Sequence, residues 1–179
     1  MTPLRVAIDY DPALRARDGI ARYTRCLVDA MLAIDPTIEL FLVASTAVGM
    51  PVHPRVRPLV HGMSPRWWRI RLLLAHLVGA SVLRDMPPVD VFHATDFVFP
   101  PTSDRLPSVV VSLHDVTTVT HARMHSTLHR LVTGAFLEIL RRSTNHILVP
   151  TEAGVSLAAV TLGIPRERMT VAPYGVSHQ

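Results

Sequence analysis

Several groups of residues have side chains suited to chemistry. Asp9-Tyr10-Asp11 follows a short apolar run. It has the shape of an aspartyl-phosphate hydrolase pair, in which one carboxylate attacks phosphorus and its neighbour moves a proton. Such enzymes normally hold the phosphoryl oxygens with a lysine, and this chain has none. A turn with one Asp capping the backbone and the other facing solvent explains the same residues. In Asp18-Gly19-Ile20-Ala21-Arg22-Tyr23 a glycine stands at the entrance to an amphipathic segment. Glycine there lets backbone approach a ligand, and a helix start offers N–H groups to a phosphate. Neither a full Gly-x-Gly-x-x-Gly nor a P-loop lysine is present, so a self-contained dehydrogenase or ATPase is disfavoured, and a turn glycine is the plain alternative.

His114-Asp115 lies just past the apolar run Val109–Leu113, at the expected edge of a sheet. An imidazole there donates to a hydroxyl or moves a proton, although a single His after a strand is more often a satisfied loop residue. His93 closes its own run, where it lines a site or is buried. His121, His125 and His129 recur every four residues, a spacing that on a helix suits a metal. No zincin glutamate accompanies them, so a solvated or membrane-facing stripe is the better reading and no metal is assigned. Gly154-Val155-Ser156 lacks the rest of a nucleophile elbow. Arg66-Trp67-Trp68-Arg69-Ile70-Arg71 mixes indoles with guanidinium groups, which suits an anionic bilayer boundary. The alternative sets Trp67 in a core with the arginines in solvent.

Short apolar runs alternate with helical periods to position these residues. Strands are expected at Leu4–Ile8, Ile38–Ala44, Val56–Val60, Val89–Ala94, Val109–Leu113, His146–Val149 and Met169–Ala172. A polar loop holding Pro12 precedes the first helix, in which Ile20, Tyr23, Leu27, Ala30, Met31 and Ile34 share a face until Pro36. A second helix, Trp67–Leu83, shows Trp67, Ile70, Leu74, Leu77 and Val78 on one face. Others follow at Thr127–Arg142 and after Thr151, a plausible N-cap, with Gly163 as the stop. The alternation predicts an α/β fold, a three-layer Rossmann-like doubly wound and mostly parallel sheet. Ligands of such sheets sit beyond the carboxyl ends of the strands. That directs attention to Asp9-Tyr10-Asp11, His93-Ala94-Thr95-Asp96, His114-Asp115 and Pro150-Thr151-Glu152.

Composition narrows the class further. At 179 residues the chain is about one domain, and 49% hydrophobic content supports a real core. All 18 basic residues are arginine against 14 acidic ones, so the mild charge of +4 does not imply nucleic acid. A single cysteine, Cys26, excludes an intramolecular disulfide and fits a reducing compartment, the cytoplasm. No uncharged stretch reaches the roughly 18–20 apolar residues of a bilayer span.

In order, Arg5-Val6-Ala7-Ile8-Asp9, Gly19-Ile20-Ala21-Arg22-Tyr23, Asp90-Val91-Phe92-His93-Ala94, His114-Asp115, His146-Ile147-Leu148-Val149-Pro150-Thr151-Glu152 and Gly163 to Val176 form a series. The series resembles the N-terminal half of retaining GT-B glycosyltransferases of family 4, a group that includes many mannosyl- and rhamnosyltransferases. The resemblance covers essentially the whole chain. It implies an acceptor-side domain over residues 1–172 and the start of an interdomain linker at 173–179. The donor-binding C-terminal domain is absent from the chain by this reading. Pro173-Tyr174-Gly175-Val176 is similar to the family's Pro-Asn-Gly-Val crossover, with Tyr174 in place of Asn. Ala21 replaces a frequent second glycine, and the proline usual after His114-Asp115 is missing.

By position the resemblance implies donor binding by Gly19 and His114, with His114 the catalytic residue. It implies acceptor binding by Asp9, Arg22, Tyr23, His93 and Asp115. The implied partners are a nucleotide-sugar donor and a glycan or lipid-linked acceptor, with no metal or other cofactor. Arg66, Trp67, Trp68 and Arg69 are the expected contacts with the inner face of the cell membrane. Activity is expected only with the second domain. The alternative from another class is a non-catalytic membrane-docking or partner-binding module, and a phosphohydrolase follows behind it.

Overall fold

The computed structural model describes residues 3–15, 18–82, 86–103, 106, 108–115, 127–143 and 145–175, and of 127–130 only the helical backbone. Seven strands build one sheet: β1 (Arg5–Asp9), β2 (Glu39–Ala44), β3 (Val56–Val60), β4 (Val91–Ala94), β5 (Val109–Ser112), β6 (His146–Val149) and β7 (Met169–Val171). Their order is β3-β2-β1-β4-β5-β6-β7, and every pairing is parallel. The fold is therefore α/β and Rossmann-like, as the alternation predicts.

Among the described residues five α-helices flank the sheet: α1 (Asp11–Arg15), α2 (Gly19–Ile34), α3 (Pro65–Val78), α4 (Thr127–Arg142) and α5 (Glu152–Leu162). The segment with Pro12, expected as loop, contains α1. Strand alternation splits the core in two. Ile8, Leu40 and Leu42 pack with Ala13 of α1 and Val28 of α2. Ala7, Phe41 and Val43 share the other cluster with Leu72 of α3, Phe136 and Leu140 of α4, and Val155 of α5.

Local signals explain the ends of the helices. Asp18 caps α2 by accepting the Ala21 N–H at 2.9 Å, and Thr151 caps α5 by accepting the Gly154 N–H at 3.0 Å. Gly163 closes α5 in the left-handed conformation with φ of 65°. A Cβ at Gly154 would stand 2.8 Å from the Val149 side chain, so that glycine lets α5 lie against β6. Its packing role accounts for Gly154 without a nucleophile elbow.

The chain runs outward from β1 to β2 and β3, then crosses through α3 to β4 on the opposite side of β1. Strand order thus reverses between β1 and β4. A crevice opens at such a reversal, beyond the carboxyl ends of the two strands.

Candidate functional site

A cavity of about 280 Å³ occupies that crevice. Asp9 ends β1, Asp96 follows β4, Asp18 precedes α2, and all three line it together with Asp11, Arg15 and Arg69. Trp68 and Val98 supply apolar wall. The Thr95 hydroxyl donates to the Asp9 carbonyl at 2.9 Å and so ties the two strand ends together.

The carboxylates are in different states. Asp11 Oδ1 accepts from the Ser45 N–H, the Ser45 hydroxyl and Arg15 Nη2, each at 2.8 Å, while Oδ2 lies 3.1 Å from His61 Nε2. Burial opposes its charge, but the bonds from His61 and Ser45 hold its carboxyl below the ordinary range. Asp9 is only 8% exposed, and Oδ1 has one weak contact, from the Asp11 N–H at 3.3 Å. Burial, and then the Asp11 charge, push Asp9 up to about 7. Burial also raises Asp96, whose Oδ2 stands 3.7 Å from Arg69 Nη2, too far for a hydrogen bond. Asp11, with both oxygens engaged, and Asp9, whose burial favours the protonated form, are poorly suited to attack phosphorus.

A second set of side chains forms the rim next to the cavity. Ser112, the last residue of β5, lies 2.9 Å from both His93 Nε2 and the Tyr23 hydroxyl. The Tyr23 ring meets His114 edge-on at 5.0 Å between centroids. His114 Nε2 donates to the Thr95 carbonyl at 2.7 Å, and its Nδ1 lies 2.5 Å from the Tyr174 hydroxyl. Burial, with a smaller push from His114, lowers His93 to about 4, which leaves a neutral ring at pH 7. Gly19 and Tyr23 stand one helical turn apart on α2, which brings the start of α2 and His114 to one rim.

Gly19 has no positive φ, and a side chain there would meet nothing within 4 Å. The fold itself therefore gives no reason for a glycine there. Arg22 and Asp115 are exposed on the same edge. His93, an expected acceptor contact, is instead 6% exposed beneath the rim, where it positions Ser112 and Tyr23.

The Arg/Trp segment divides. Arg66 and Trp67 face outward, Trp67 being 61% exposed, but Trp68 is 5% exposed and stacks on His61 at 4.1 Å. Arg69 turns into the cavity beside Asp96. Trp68 and Arg69 are thus corrected from membrane contacts to cavity wall, because α3 seats Trp68, Leu72 and Ala75 on the sheet. The expected inner stripe of Trp67, Leu74, Leu77 and Val78 is left in solvent. His121 and His125 lie outside the described residues, as does the His129 side chain.

Sequence reasoning did not single out Arg15, Ser45, His61, Ser112 or the contact from Tyr174. Only Ser112 carries a local signal, a hydroxyl within the run Val109-Val110-Val111-Ser112-Leu113 that needs a buried partner. Comparison with protein-family models and with curated proteins gives no match. No helix among the described residues is long and apolar enough to cross a membrane.

Proposed function

We propose that the chain is the acceptor-side half of a retaining glycosyltransferase. In this reading it moves a hexose from a nucleotide-sugar to a polysaccharide, glycolipid or small-molecule acceptor, and a donor-binding domain completes the enzyme. The observation that carries the reading is the edge-on contact of Tyr23, one turn after Gly19 on α2, with His114, on an edge that also holds a cavity at the point of strand reversal. Backbone at Gly19 approaches the leaving diphosphate, and the cavity holds the acceptor. His114 meets the donor sugar through Nδ1, exchanging its bond to Tyr174 for one to a sugar hydroxyl. Positioning and fixed donors supply the catalysis. In the enzyme carrying its donor domain, His114→Ala lowers transfer by about 10²-fold. Turnover equal to wild type removes His114 from the site.

The outward stripe of α3 favours a docking role in addition, on the inner face of the cell membrane. Trp67, Leu74, Leu77 and Val78 present an apolar strip beside Arg66 and Arg71, the pairing an anionic bilayer surface selects. Trp67→Ala with Leu77→Ala is expected to weaken binding to phosphatidylglycerol vesicles about tenfold while the melting curve stays in place. Unaltered vesicle binding sinks the docking role.

A further inference from the structure

We propose that the cavity between β1 and β4 takes a polyol bearing a primary amine, with the ammonium held between Asp9 and Asp96. The choice of a polyol rests on the acceptor-side reading above; the choice of an amine rests on the cavity alone.

Four carboxyl groups line the space against two guanidinium groups among the described residues. Asp11 has both oxygens engaged, and Arg15 is committed to it. Asp18 is occupied in capping α2. Asp9 Oδ2 accepts no hydrogen bond from the described residues, and the residue is more than nine-tenths buried yet opens on the cavity. Asp96 accepts the Phe97 N–H through Oδ1 at 2.7 Å, and its Oδ2 meets Arg69 only as a long ion pair at 3.7 Å. Among the described residues the wall therefore offers more carboxyl acceptors than cationic donors, Arg69 being the cation beside Asp96.

A phosphate or carboxylate placed here would face four acidic side chains. A neutral hydroxyl would satisfy one oxygen but bring no charge. An ammonium brings three donors and the positive charge that lets Asp9 ionise, and bonds of this charge-assisted kind are about twice as strong as neutral ones. The volume of about 280 Å³ lies just under the roughly 300–1,000 Å³ of sites for larger ligands, which suits a single sugar ring. Trp68 and Val98 give that ring an apolar side to lie on.

The test is a calorimetric and NMR titration of the 179-residue chain at pH 7 and low salt with glucosamine, glucose and glucose 6-phosphate. Glucosamine is expected to bind at least about tenfold more tightly than glucose, and glucose 6-phosphate more weakly than either. The heat for glucosamine should change with the ionisation enthalpy of the buffer, because Asp9 releases its proton on binding. Asp9→Asn should bring glucosamine to the level of glucose and abolish the buffer dependence. Asp96→Asn, which alters a different element, should weaken the preference as well. Equal binding of glucosamine and glucose overturns the proposal. So does a preference that survives both substitutions, or no measurable binding of any of the three. Loss of the amine preference with His114→Ala still damaging transfer spares the glycosyltransferase reading. An intact preference in an enzyme that transfers no sugar spares the amine site alone.

Discussion

The cavity and the rim lie side by side along the carboxyl edge of the sheet, yet they treat buried polar groups in opposite ways. On the rim, His93, Ser112 and Tyr23 form one connected hydrogen-bond series, and His114 has both ring nitrogens engaged. In the cavity, Asp9 is nearly as deeply buried as His93, and among the described residues its carboxyl holds only a long contact at 3.3 Å. Unpaired buried charge is costly, so a fold that satisfies one set and leaves its neighbour open has spent stability at a definite place. The rim is preorganised wall, and the cavity leaves a buried acceptor open.

Asp9→Asn tests the larger half of this difference. The folded carboxyl titrates near 7, above the roughly 3.9 of an unfolded chain, so the folded state binds the proton more tightly. Stability associated with Asp9 is therefore whole below pH 4 and is lost as pH rises toward 7. Asparagine imitates the protonated form at every pH. The variant should match wild type in urea unfolding at pH 4 and exceed it by about 2–4 kcal/mol at pH 8. A difference that does not grow with pH would place Asp9 in ordinary contact with solvent and erase the contrast with the rim.

The physics of this edge also marks what a sequence discloses. β3, α4 and β6 are read residue for residue, because bounded apolar runs and a sustained helical period leave few alternatives. The phase of α2 and α3 is not. Ala21, Thr24 and Val28 face the sheet in place of Ile20, Tyr23 and Leu27, and Trp68, Leu72 and Ala75 in place of Trp67, Leu74 and Val78. Periodicity fixes the spacing of a stripe, whereas close packing on a parallel sheet selects the stripe that contains small residues.

At the site, strand ends point to Asp9, His93 and His114, since only strand position is needed to find them. Ser45, His61 and Tyr174 come from 34, 50 and 60 residues away to complete Asp11 and His114. Such partners are chosen by tertiary pairing and leave no local trace.

Ser112→Ala tests the rim by the smaller, opposite effect. Removing the hydroxyl strands His93 Nε2 inside the sheet and frees Tyr23, at a cost of about 1–3 kcal/mol for a buried group left without its partner. Above pH 7 His93 is neutral in both folded and unfolded chains, so the loss should be the same at pH 7.5 and pH 9. Thr95 links the two regions through Asp9 and His114, and the double variant measures how much passes along that link. Asp9→Asn and Ser112→Ala should add to within about 0.5 kcal/mol, because the Thr95 contacts are to backbone and survive both changes. A larger coupling energy in urea unfolding at pH 8 would mean that cavity and rim are one network. In that case Asp9 would be strained by the rim and would not be held open for a ligand.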